Sequence, residues 1–330
     1  MYFEFFFLLL LTYFSYQLLT KMAKKLNLID FPNARSSHNS PTIKGFGIVI
    51  FISIGITLLV FNSVLFIENS NLLSAVLLIG LLGLVDDIKE IPPIVKIITL
   101  VLVYMFLYIE GFLITNLGTF LGLDLNLNLI IAIIFTIGAI VIFTNAFNLI
   151  DGLDGLSGLI SIIIFLSFLF IGAINGDQLL LKIPALFVTS LCVFLFYNWH
   201  PAKVFLGDSG SLMIGFVISI LGIKSLNYIE PIAILYIAAV PIIDTLFVSV
   251  NRLLDGRSIL SADKQHCHHI LLSFFDGKVT KTVLTIALFQ LISCIIGITF
   301  ISKVSDSFIG LITFFLIFFI IYKLLKRIRI

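Results

Sequence analysis

Charge is what this chain has least of. Aspartate, glutamate, lysine and arginine make up 12% of its 330 residues, against 60% hydrophobic ones, and the mean hydropathy is +1.20. So little charge cannot clothe a soluble body of this size, which excludes a soluble globular protein. Cysteine is scarce as well. Cys192 and Cys294 fall within apolar runs and Cys267 in a polar loop, so structural disulfides are not expected. An internal repeat is lacking, which argues against transporter folds built from duplicated halves. No basic residue precedes the first apolar run, Tyr2–Thr20, while Lys21, Lys24 and Lys25 follow it; that order fits a retained first span rather than a cleaved leader.

What the chain does have is apolar runs of membrane-crossing length, each near the ~20 residues an α-helix needs. They lie at 3–20, 45–67, 72–90, 94–113, 129–148, 156–175, 178–197, 206–224, 231–250, 281–302 and 306–323. The expected fold is all-α: a polytopic bundle of about eleven transmembrane helices, forming one domain over residues 1–330. Of the 20 Lys and Arg, all but Lys182, Lys224 and Lys303 then fall on one side. The positive-inside rule makes that side cytoplasmic, with the N-terminus outside and the C-terminus cytoplasmic. The longest outer loop, 110–128, carries Gly111, Gly118 and Gly122 and is expected to form turns or a small hairpin.

Nearly all the unusual residues sit in inner loops, at 21–44, 86–96, 145–158, 198–211 and 251–281. Carboxylates at a membrane rim are costly unless paired, hydrated or bound to a cation, so they are functional candidates. Asp86 and Asp87 close the third run; one could bind Mg²⁺ or a lysine while the other takes a proton, although a solvated helix end would look the same. Asn148, Asp151 and Asp154 follow at intervals of three in a glycine-rich stretch, which puts them on one helical face and lets the backbone approach a diphosphate. Asp208 lies between glycines at a helix start, after Asn198 and Lys203. A carboxylate there can serve as a helix cap or hold a hard cation, and the polar neighbours favour a metal.

Asp263 leads into His266-Cys267-His268-His269. Three histidines and a cysteine raise zinc, but consecutive residues cannot easily surround one ion and no second group completes the set. Imidazoles suit phosphate or sugar oxygens better. Arg252 and Arg257, like Arg35, His38 and Lys44 in the first loop, offer further anion contacts or serve as topological charge. Lys96 opens the fourth run, where it could snorkel or reach phosphate. Asp244, inside the ninth run with Arg252 eight residues on, fits a structural pair or a site equally. Cation-binding acids beside anion-binding bases specify a polyphosphate site at a membrane face, where phosphoryl transfer chiefly needs positioning and charge neutralisation. A secondary transporter is the rival, but its sites usually lie near the midplane rather than at one rim.

With Asp86-Asp87, Asn145–Gly158, Asn198–Ser211 and the His-x-His-His box in this order, the chain resembles the polyprenyl-phosphate N-acetylhexosamine-1-phosphate transferases. These glycosyltransferases of family 4 initiate O-antigen and teichoic-acid synthesis and are distant relatives of phospho-MurNAc-pentapeptide transferase. The resemblance implies a multi-pass enzyme of the bacterial inner membrane with its site on the cytoplasmic face. It would move a sugar 1-phosphate from a UDP-N-acetylhexosamine to undecaprenyl phosphate, releasing UMP. By the same resemblance Asp208 and Asn148 carry Mg²⁺, with Mn²⁺ as substitute, and Asp86 or Asp87 acts on the lipid phosphate. Asp151, Asp154 and Asn198 line the nucleotide pocket. His266, His268, His269 and Arg252 hold the sugar-phosphate end, with Lys96 near phosphate. The histidine box looks like the GlcNAc branch, whereas Pro32–His38 is similar to relatives using deoxy amino sugars such as FucNAc or QuiNAc; a MurNAc-pentapeptide donor is the more distant option. Membrane lipids are partners, nucleic acid is not, and a homodimer is left open.

Overall fold

The computed structural model describes residues 2–32, 41–256, 266–301 and 306–328. Each of the eleven apolar runs is helical. They give α1 (Tyr2–Met22), α2 (Phe46–Phe61) with the short α3 (Ser63–Glu68), α4 (Ser70–Ile88), α5 (Pro93–Leu107), α6 (Leu129–Leu149), α7 (Leu156–Asn175), α8 (Gln178–Asn198), α9 (Gly207–Ser225), the pair α10 (Pro231–Ile237) and α11 (Ala239–Leu254), α13 (Val279–Thr299) and α14 (Ser307–Ile328). A further short helix, α12 (Cys267–Phe274), lies outside the runs. Among the described residues nine helices are long and apolar enough to cross a membrane, or ten if α10 and α11 are one span; α2 is a shorter apolar helix. The protein is an all-α polytopic membrane protein. The expected hairpin is present: β3 (Asn116–Phe120) pairs antiparallel with β4 (Leu123–Asn126).

α9 is the centre of the bundle. It packs on α4, α6, α2 and α7, and 78% of its apolar window is buried, against 17% for the peripheral α14. Its approach to α4 depends on Gly83, where a Cβ would strike the backbone of Asp208 and Ser209. Helix backbones come this close only where a small residue leaves room.

Two further features shape the site. A clip of β1 (Ile29–Asp30) and β2 (Thr42–Ile43) docks on the segment before α9, with Phe205 N–H donating to Ile43 C=O at 2.7 Å, and the start of α2 adds Gly47 N–H to Leu206 C=O at 3.2 Å. The ninth run, expected as one span, bends by 85° between α10 and α11. Pro241 is the cause: it has no N–H for the Ile237 carbonyl and cannot continue the helix past it. Backbone groups freed inside a bilayer must find partners. The fully buried Gln290 on α13 supplies both, donating to Ile237 C=O at 2.7 Å and accepting from Val240 N–H at 2.9 Å.

Candidate active site

The C-terminal ends of α4, α6 and α8 and the N-terminal ends of α5, α7 and α9 meet at one end of the bundle, and the hairpin lies at the other. Asp87 joins α4 to α9. Its two carboxylate oxygens accept the N–H groups of Asp208, at 2.9 Å, and Ser209, at 3.1 Å. These are donors that the first turn of a helix leaves unpaired, and a negative charge there also meets the favourable end of the helix dipole. Gly207, at φ +75°, makes the turn possible, because a Cβ there would collide with the Asp87 carboxylate. Asp87, 6% exposed, is thereby spent on holding α9 in place.

Asp86, one residue earlier, faces the other way. It accepts the Ile91 N–H at 2.6 Å, and its second oxygen takes the Lys96 ammonium. Lys96 also bonds Asp208 Oδ2 at 2.6 Å, so one lysine bridges two carboxylates from different helices. The remaining Asp208 oxygen accepts from the Asn148 amide at 3.1 Å, and the same amide donates to Ser211 Oγ at 2.8 Å. Of the bridged groups Asp208 is the most open, its side chain 32% exposed against 16% for Lys96 and 10% for Asp86.

Asp151 lies just beyond, bonded by the Ser157 hydroxyl. Burial, then the negative charges of Asp208, Asp87 and Asp154, push its carboxyl up to about 7 against the opposing Ser157 bond. Lys96 therefore does not balance this cluster. The excess negative charge, presented on hard carboxylate oxygens, fits a divalent cation such as Mg²⁺, with Asp208 as the accessible ligand.

Asn198 and Asp154 play a different part. Asn198, 3% exposed, accepts the Gly155 N–H and donates to the Val204 carbonyl, both at 2.8 Å, and so fastens the 150–156 loop to the segment before α9. One Asp154 oxygen accepts the Ala202 N–H at 3.1 Å and pairs with His200 Nδ1 at 2.8 Å. The side chains expected along a nucleotide pocket thus make the scaffold of the loop in this structure.

The histidine box forms a second centre around Asp244 of α11. Asp244 Oδ2 bonds His266 Nδ1 and Oδ1 accepts the Cys267 N–H, both at 2.6 Å. His268 stacks on His266 at 5.5 Å, with His269 4.3 Å from His268. Burial holds the His268 imidazole down at about 3, further helped by His269 and His266 and opposed by Asp244, so it is neutral. Asp244, His266 and His268 could together hold a metal ion, their ligand atoms lying within 4.8 Å of one another. Sequence reasoning had found no group to complete such a set; α11 supplies one. Both Asp244 oxygens are already engaged by hydrogen bonds, however. The two centres touch through Gly152, where a Cβ would strike His268 Nε2. Arg252 is buried at the end of α11. Arg35 and His38 lie outside the described residues.

Sequence reasoning missed Ser157, Ser211 and His200. Each stands in the first two turns of a helix or beside a proline, where serine and histidine are too common to signal a role.

The sequence profile of glycosyl transferase family 4 matches residues 69–226. The chain is 31% identical over 261 residues to a probable undecaprenyl-phosphate N-acetylglucosaminyl 1-phosphate transferase of Bacillus subtilis (strain 168), covering 77% of this chain and 72% of that protein. It is 27% identical to the undecaprenyl-phosphate alpha-N-acetylglucosaminyl 1-phosphate transferase of Escherichia coli (strain K12), over 93% of this chain and 86% of that one. A phospho-N-acetylmuramoyl-pentapeptide-transferase of Clostridium botulinum (strain Eklund 17B / Type B) is 28% identical, over 81% and 85% of the two chains.

Proposed function

The chain belongs to glycosyl transferase family 4, and from that premise we propose that it moves N-acetylglucosamine 1-phosphate from UDP-GlcNAc to undecaprenyl phosphate at the cytoplasmic face of a bacterial inner membrane. A phosphate oxygen of the lipid attacks the sugar-bearing phosphorus of the donor, the diphosphate P–O bond breaks, and UMP leaves. The observation that carries this reading is the bridge Asp86–Lys96–Asp208, anchored through Asp87 to the start of α9.

Enzymes of the family depend in general on divalent metal ions. Asp208, with Asn148 beside it, would hold Mg²⁺ or Mn²⁺, which supplies charge neutralisation on the donor diphosphate. Lys96 offers an ammonium to a phosphate oxygen and keeps the Asp86 and Asp208 carboxylates from repelling each other. Asp86, not Asp87, is the acid that acts on the lipid phosphate, because both Asp87 oxygens accept backbone N–H groups, whereas one Asp86 oxygen meets only the Lys96 ammonium, itself a phosphate-binding group. His266, His268, His269 and Arg252 bind the sugar-phosphate end, with Arg35 and His38 completing the pocket from the first loop. Asp151, Asp154 and Asn198 shape the loop against the nucleotide.

An apolar groove of about 640 Å³ supports an isoprenoid acceptor. It runs between α6, α9, α10 and α11, from Ile114 near the hairpin past Phe135 and Ile142 to Ala146, two residues before Asn148. Sidedness is supported by the basic residues. Lys182 and Lys224, at the hairpin end, are paired with Glu4 and Asp177, whereas Lys89, Lys96, Lys203 and Arg252 collect at the site end.

The test is UMP release by purified protein with a panel of UDP-GlcNAc, UDP-linked deoxy amino sugars and UDP-MurNAc-pentapeptide, each with and without undecaprenyl phosphate. Release from UDP-GlcNAc that requires the lipid supports the reading. Flux of substrate into proteoliposomes without conversion would replace it with transport.

A further inference from the structure

Asp244 bonds the histidine box and no member of the bridge Asp86–Lys96–Asp208, yet it is one of the most deeply buried acids among the described residues, 3% exposed. An acid that deep is retained only where it is fully engaged, and removing one partner leaves the other stranded. It sits on α11, the half of the span that Pro241 and Gln290 turn aside, and reaches the histidine box across a separation of 22 residues. Its carboxylate grips that box at two points, the His266 ring and the Cys267 backbone N–H, where α12 begins.

We propose that Asp244 is a positioning residue for the donor sugar, acting through His266. The inference rests on the transferase reading above and deepens it. A carboxylate only accepts hydrogen bonds, so the ring hydrogen is held on His266 Nδ1 and Nε2 is the nitrogen left for a ligand. The Cys267 contact fixes the ring's height relative to α12. The stacked His268 carries that order onward to Gly152, beside Asp151. The second centre is thus a relay of orientation from the bent span to the loop that faces the diphosphate. The arrangement follows the general pattern in which a carboxylate sets the tautomer and direction of an imidazole that does the binding.

The test uses the full chain in detergent with UDP-GlcNAc, undecaprenyl phosphate and Mg²⁺. Asp244→Asn places an amide N–H₂ against Nδ1 and reverses the tautomer. We expect kcat/KM for UDP-GlcNAc to fall at least about tenfold, with the KM for undecaprenyl phosphate within about twofold of wild type and the pH profile displaced. Asp244→Glu, which keeps an acceptor, should recover most of the loss. In a double-mutant cycle, Asp244→Asn should add little to His266→Gln, because both act through one ring. Losses that multiply in the double variant, or a folded Asp244→Asn with wild-type donor kinetics, overturn the proposal. If Asp244→Asn does not fold, His266→Gln decides: a raised donor KM at constant acceptor KM supports the relay, and an unchanged donor KM overturns it. A wild-type protein inert toward every donor sinks the transferase reading and the relay together, whereas an active wild type with an indifferent Asp244 sinks the relay alone.

Discussion

The carboxylate centre and the histidine centre lie side by side and are built on opposite terms. Around Asp208 the charges do not close: two acids share one lysine with Asp87 and Asp151 close by, and the Asp208 carboxylate is a third exposed. Around Asp244 the carboxylate closes: one oxygen meets the His266 ring and the other the Cys267 N–H, deep inside the protein. The first centre therefore keeps negative charge in excess, which suits the cation proposed for it. In the second, the acid is used up within the protein, and on the reading above it serves by holding the His266 ring in place. Burial separates them, and the balance of donors and acceptors does so again.

That contrast can be broken most severely at Asp208. Asp208→Asn should lower kcat by about 10³-fold or more, because a neutral amide is a poor ligand for a hard cation and cannot balance Lys96. UMP release at saturating substrates measures it, and thermal stability should stay near wild type since the residue is partly open. Lys96→Met comes next, with a loss of about 10²-fold in kcat. Removing the bridge leaves Asp86 and Asp208 in mutual repulsion, so the Mg²⁺ concentration for half-maximal activity should fall even as turnover drops.

The histidine centre should instead reveal itself through stability. His268 is held near 3 in the folded protein and returns to about 6.5 when unfolded. Below pH 6.5 the unfolded chain binds the extra proton, so stability is lost as pH falls. By pH 5 the loss should be about 2 kcal/mol, read as a lowered thermal midpoint that His268→Gln largely abolishes. The smallest effect is expected at Asp87, where Asp87→Asn removes one of two backbone acceptors at the start of α9 and should cost about 1 kcal/mol. Turnover should suffer less than in Asp86→Asn. The reverse ranking would return the acceptor-side role to Asp87.

The apolar runs made the bundle legible from sequence, because burial in lipid leaves few other solutions. Gly111, Gly118 and Gly122 likewise announced the hairpin. The bend in the ninth run was written in Pro241 but looked like an ordinary membrane proline until Gln290, 49 positions later in sequence, was seen to serve the broken turn. Within the site, Asp86, Lys96, Asn148 and Asp208 were legible because polar groups at a lipid rim are expensive. Asn198 and Asp154 were legible as unusual but not as scaffold, since a carboxamide bonded to two backbones and one bonded to a nucleotide have the same sequence. Asp244 stayed ambiguous for the same reason: its partner arrives through the fold and not through helical spacing.

A rod that turns through 85° cannot keep both halves along the bilayer normal. If α10 follows the normal, α11 lies close to the membrane plane, like a sill below an open window. A reactant that never leaves the hydrocarbon could then slide in sideways, bringing only its head group round the corner to meet a water-borne companion.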